Sequence, residues 1–231
     1  MATTVQQGLW KGWRERVLSV QAMVFVLVLL SLLLVNPYKS YPQSINQVLD
    51  TIQAFYENTK SIRAEFEQET IHPNGQKEVR TGRIWIKKPG LFRWEYLAPE
   101  KFIVISDGTN LYVYYPEEKR VFVYPTGKGI SSQLALGFMS GRGDIRKDLR
   151  IESYKSLSEN LWELNFLPLS QENQVEKLTL FVDLSTGEVK RFVVWHKTGE
   201  KVLVNFRKLE YNVNMPDKIF KFTPPKDAKI N

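Results

Sequence analysis

The chain has 231 residues, a formal net charge of +7 and no cysteine. A disulfide framework and a thiolate metal site are therefore excluded. Residues 1–43 hold four cations and one carboxylate, which leaves a surplus of +4 spread over the rest. Without a clustered basic patch, nucleic-acid binding is not expected.

Lys11, Arg14 and Arg16 precede an apolar run over residues 22–35 that only Ser31 interrupts. A basic start, a short apolar run and a polar exit make a secretory signal. No Ala-x-Ala cleavage site follows, and counted from Val17 the run approaches the ~20 residues that span a bilayer. Two readings stay open for residues 1–43, a signal peptide and an uncleaved signal anchor to the inner membrane. Both put residues 44–231 outside the cytoplasm as one domain.

Ser44 and Gln47 form a capping box. Ile45, Val48, Leu49, Ile52, Phe55 and Tyr56 follow at helical spacing, so this helix presents one apolar stripe. The pattern then changes to period two. Ile62, Ala64 and Phe66 alternate with Arg63, Glu65 and Glu67. Residues 79–88 make the next strand, and 82–96 read as a hairpin around Lys88-Pro89-Gly90. Strand side chains alternate between faces, so Phe92, Trp94 and Tyr96 share one face while Leu91, Arg93 and Glu95 take the other. Strands over 102–106, 111–115 and 120–124 follow, the first ending in the hairpin signal Asp107-Gly108. The period breaks after Pro125. Glycines bound an apolar helix predicted over 131–139, either a movable cover or a crossover, and a second short helix is predicted over 144–149. Strands resume over 150–156, 161–167, 175–183, 188–195 and 201–211. The expected fold is mainly β, about eleven antiparallel strands in a curved, unclosed half-barrel covered by about three helices.

No catalytic set, cofactor motif or metal cluster stands out, so no enzyme is expected. His72 and His196 fall in or beside predicted turns and read as surface residues. Aromatics make up 13% of the chain and alternate along strands. They suit either a closed core or a cavity for an apolar ligand, two arrangements alike in composition. The expected lining is Leu49 and Ile52 from the first helix, Ile84, Ile86, Phe92, Trp94 and Tyr96 from the hairpin, and Leu134 and Phe138 from the cover.

The stretch GRIWIKKPGLFRWEY at 82–96 resembles a motif of the periplasmic outer-membrane lipoprotein carriers of Gram-negative bacteria, the LolA-like family. Three other stretches agree: SIRAEFEQ from Ser61, ISDGTNLYVY from Ile105, and FTPP from Phe222. The resemblance covers residues 44–226. It implies an unclosed barrel of eleven strands under three helices. It also implies a periplasmic chaperone that takes acylated lipoproteins from an inner-membrane ATP-driven extractor and hands them to an outer-membrane receptor. A monomer is expected. Phe92 matches an aromatic at the cavity mouth, and Trp94 one on the concave wall. Lys88 stands where family members carry an arginine that latches a helical lid. A lysine offers a flexible point charge in place of a planar fork, which implies a looser latch. The alternative is another lipid- or glycolipid-binding envelope protein of the same fold, membrane-tethered in one form.

Overall fold

Helix α1 (Ile45–Asn58) begins at its capping box. Ser44 Oγ accepts from the Gln47 N–H at 3.3 Å, and Gln47 Oε1 accepts from the Ser44 N–H at 2.9 Å. Backbone donors that a helix start leaves orphaned are thereby satisfied. Val48, Leu49, Ile52 and Tyr56 are buried, and Ile45 and Phe55 partly so. A 14-residue helix is marginal alone in water. Burial of four large side chains, each worth about 1.5–3 kcal/mol, holds it in place.

The computed structural model describes residues 44–125, 139, 144–169 and 174–231. The expected export segment lies outside the described residues, as does most of the helix predicted over 131–139, with Leu134 and Phe138. Met139 is described, and it is buried against the core.

The strands are β1 (Ser61–Ile71), β2 (Lys77–Lys87), β3 (Leu91–Ala98), β4 (Phe102–Asp107), β5 (Asn110–Tyr115), β6 (Arg120–Pro125), β7 (Leu149–Ser156), β8 (Leu161–Pro168), β9 (Val175–Asp183), β10 (Glu188–His196), β11 (Lys201–Tyr211) and β12 (Lys229–Ile230). They form one sheet in the order β12-β6-β5-β4-β3-β2-β1-β11-β10-β9-β8-β7. Two meanders, β1–β6 and β7–β11, are joined by the long-range pairing of β1 with β11, in which Phe66 stands opposite Phe206. The end strands β12 and β7 do not pair with each other, so the sheet is open.

Two counts differ from expectation. A twelfth strand of two residues pairs parallel with β6, too short to carry any period. Among the described residues the helices are α1, α2 (Ile145–Asp148, capped by Asp144) and a 3₁₀ turn (Asp217–Phe220). His196 also departs from its surface reading. It is buried at 6% exposure, because β10 extends through it and the inward alternation of Phe192 and Val194 carries on to His196.

The inner face of the sheet and α1 share one core. Ile62, Ala64 and Phe66 of β1, Leu164 and Phe166 of β8, Phe192 and Val194 of β10, and Val202, Val204 and Phe206 of β11 all belong to it. The outer face around β1 is charged. Arg63 pairs with Glu210 at 2.5 Å, Glu67 with Arg207 and Glu65 with Lys208, each at 3.0 Å. Such exposed pairs add little stability but keep that face in water.

Candidate functional site

The β2–β3 hairpin carries most of the residues selected from sequence. Ile86 stands opposite Phe92, Ile84 opposite Trp94 and Gly82 opposite Tyr96, so all five side chains share the inner face. Ile84, Ile86, Phe92 and Trp94 are buried, and Tyr96 is half-buried against them. Leu49 and Ile52 of α1 belong to the same cluster. The structure therefore brings together the seven described lining candidates. Among the described residues these side chains belong to one buried cluster or pack against it. A groove of about 260 Å³ lies near Gly82 and is lined mostly by polar side chains, among them Glu65, Glu67, Arg83 and Arg207.

Two contacts fasten the C-terminal end of α1 to the sheet. The Tyr56 hydroxyl accepts from the Val189 N–H at 3.2 Å. Burial pushes the Tyr56 phenol well above its ordinary range, so it stays neutral in the folded protein. Lys88, at the hairpin turn, donates from Nζ to the Tyr56 carbonyl oxygen. The last turn of α1 has no cation of its own. Lys88 supplies one from another element, at the end where the helix dipole favours positive charge. Partial burial holds the ammonium below its ordinary pKa, and the charge of Glu57 offsets part of that.

The turn between β9 and β10 is fitted to α1 as well. Gly187 has φ +87°, and a Cβ there would lie 2.7 Å from Phe55 Cβ and 2.8 Å from the Thr51 carbonyl oxygen. From α2, Arg146 pairs with Asp50 at 2.6 Å and donates to the Asn46 carbonyl at 3.0 Å.

Beyond the part nearest α1, an aromatic row crosses the inner face. Phe66 meets Trp94 edge-on at 4.8 Å between centroids and Tyr96 at 5.2 Å. Tyr96 stacks on Phe102 at 4.0 Å, Phe102 on Tyr115 at 5.2 Å, and Tyr115 meets Phe122 at 6.2 Å. The Arg80 guanidinium lies 5.8 Å from the Phe102 centroid. Tyr96 OH donates to Gln68 Oε1 at 2.9 Å. Phe66, Phe102, Tyr115, Gln68 and Arg80 were not among the sequence-selected residues. The alternation of β1 carried a signal for Phe66. Arg80 reads from sequence as an ordinary strand cation.

A wall of aliphatic and aromatic side chains under a fastened helix is suited to holding apolar material. Comparison with known proteins agrees with this geometry. The family model for outer membrane lipoprotein carrier protein LolA matches residues 57–223. This chain belongs to the LolA family. An outer-membrane lipoprotein carrier protein of Dechloromonas aromatica is 31% identical over 183 residues, covering 79% of this chain and 86% of that protein. One of Chromohalobacter salexigens is 27% identical, covering 78% and 85%. Among solved structures, an uncharacterized conserved protein of Thermus thermophilus has the same fold, with a TM-score of 0.52 at 19% identity over 82% of this chain and 99% of that one. Within this LolA family member, no helix among the described residues is long and apolar enough to cross a membrane.

Proposed function

We propose that this LolA family member is an exported chaperone that shields the acyl chains of lipoproteins and carries them from the inner to the outer membrane. The observation that carries the reading is the Lys88–Tyr56 contact, which ties the hairpin to the end of the helix covering the apolar inner face. Burying a methylene is worth about 0.8 kcal/mol, so an acyl chain of ~16 carbons costs on the order of 12 kcal/mol to expose to water. Crossing the periplasm then requires a greasy shelter. The shelter must also release its cargo. A cover that closes over the empty face opposes binding and lowers the net affinity. In this reading an extractor in the inner membrane loads the chain and a receptor in the outer membrane unloads it.

Lys88→Leu tests the latch. The mutation removes a charge-assisted hydrogen bond worth about 1.5–3 kcal/mol and adds apolar surface. The closed state loses that stabilisation, so retention of a loaded lipoprotein should rise roughly tenfold or more and delivery to the acceptor should fall. Paired transfer assays, membrane to carrier and carrier to acceptor, report the two steps separately. Parent-like behaviour in both would remove Lys88 from the mechanism.

A tethered lipid-binding role is the second reading, favoured by the long apolar run that begins at Val17. Residues 1–43 direct export in either case. Deletion of residues 22–35 should leave the protein in the cytoplasm, and a periplasmic deletion variant would refute the export role. N-terminal sequencing of the exported protein separates a cleaved signal from a retained anchor.

A further inference from the structure

Two nitrogen donors on the inner face are buried with no hydrogen-bond partner among the described residues, Trp94 Nε1 and Arg80 Nε. Trp94 is only 2% exposed. The polar groups around them are engaged with one another. Tyr96 OH donates to Gln68 Oε1 at 2.9 Å, and Gln68 Nε2 donates to Thr70 Oγ1 at 3.2 Å. Arg80 Nη2 pairs with Glu78 Oε1 at 2.5 Å, which leaves its Nε unanswered. One run of rings connects the two donors. Trp94 lies parallel to Tyr96 at 6.2 Å, Tyr96 to Phe102 at 4.0 Å, and Arg80 lies over Phe102.

Buried donors without acceptors are rare in folded proteins, because the desolvation of the N–H goes uncompensated. Indole and guanidinium nitrogens donate and do not accept. Their complement is an acceptor that brings no hydrogen of its own and tolerates apolar walls. The carbonyl oxygen of an ester or amide fits that description. It is also the group through which an acyl chain is joined to glycerol or to an amine. A bare anion fits less well, since the charge of Arg80 is already paired with Glu78.

We propose that Trp94 Nε1 and Arg80 Nε receive the carbonyl oxygens of ester- or amide-linked acyl chains. This inference rests on the reading of the inner face as an acyl-chain site and adds a register to it. Hydrocarbon lies along Ile84 and Ile86, and the linkage region lies toward Arg80, at the end of β2 remote from Lys88. The ligand class is thus a carbonyl-linked lipid, distinct from a plain hydrocarbon or an ether lipid.

The test compares two phosphatidylcholines with chains of 16 carbons, one diester and one diether, as competitors for a fluorescent acyl lipid bound to the full-length protein. The parent should favour the diester by about tenfold. Trp94→Phe keeps a ring and removes the N–H, and Arg80→Met keeps an apolar stem and removes the donor. Each should lower the diester-to-diether ratio by about threefold or more, with thermal unfolding checking that the variant is folded. A parent that binds both lipids equally, or variants that keep the full preference, would overturn the inference while leaving the acyl-chain reading intact. If the parent binds neither the fluorescent lipid nor its competitors, the acyl-chain reading itself falls, and the carbonyl register with it.

Discussion

Replacement of Gly82 by alanine should destabilise the folded protein by about 3 kcal/mol, at the upper end of the usual cost of an overpacked core. Gly82 sits at a bulge where the pairing of β2 with β3 shifts register between Thr81 and Gly82. The bulge brings the backbone of β3 unusually close. A Cβ on residue 82 would overlap the Glu95 carbonyl oxygen and lie 2.6 Å from Phe66 Cε1. A flexible side chain can swing away from such an overlap, but a carbonyl fixed between two strands cannot. The Phe66 ring can move only by giving up its edge contacts with Trp94 and Tyr96. Urea unfolding of the parent and of Gly82→Ala measures the difference. Phe66→Leu in the alanine background should recover little, since the carbonyl overlap remains. An alanine variant within about 0.5 kcal/mol of the parent would mean that the strands are free to separate here.

Much of this architecture is legible in the sequence for a simple reason. Period-two alternation is enforced wherever one face of a strand is buried, and a register slip of one residue would turn every side chain inside out. Ile62, Ala64 and Phe66 announce the inner face of β1, just as Phe92, Trp94 and Tyr96 announce that of β3. The helix signal at Ser44 and Gln47 is equally local, and both of its hydrogen bonds are present.

Illegible features are those that depend on distant neighbours or on broken periodicity. The alternation puts Gly82 on the same face as Ile84 and Ile86, and only the bulge and the ring of Phe66 make it a contact point. His196 reads as part of a turn, yet β10 runs through it and sets it on the same face as Phe192 and Val194. Arg80 reads from sequence as an ordinary strand cation, and Trp94 only as one more apolar ring of the inner face. Their significance lies in acceptors that no neighbouring segment supplies among the described residues, which is a property of tertiary surroundings. The contact of Lys88 with Tyr56 spans 32 residues of chain. Turn chemistry accounts for Pro89 and Gly90 but not for Lys88, and only the resemblance to a carrier family implies a helical partner for it.

Phe92→Glu should abolish loading at neutral pH. Phe92 is 7% exposed, stands opposite Ile86 and Ser106, and belongs to the core cluster that α1 covers. The hydroxyl of Ser106 already donates to the Gly90 carbonyl at 3.0 Å. A carboxylate at this position would have to lose its water or hold the apolar wall open to keep it, and ionised burial without a partner costs several kcal/mol. The group will answer by raising its own pKa above the ~4.3 of a free glutamate. The sign of the pH dependence follows. Below about pH 4 the carboxyl is neutral in both folded and unfolded chains and the charge penalty is absent. As pH rises past that point the unfolded chain ionises and the folded one does not, so stability falls by about 1.4 kcal/mol per pH unit until the folded pKa is reached. Loading should therefore improve as the assay is moved from pH 7 toward pH 5, a trend the parent has no reason to share. Phe92→Gln, of the same size but uncharged, should keep more activity than Phe92→Glu at pH 7 and show no such recovery in acid. Phe92→Leu should load nearly as the parent does. Lipoprotein transfer from membrane to carrier is the readout, with unfolding curves taken at each pH. A glutamate variant that folds and loads like the parent at pH 7 would show that acyl chains do not pass this part of the inner face.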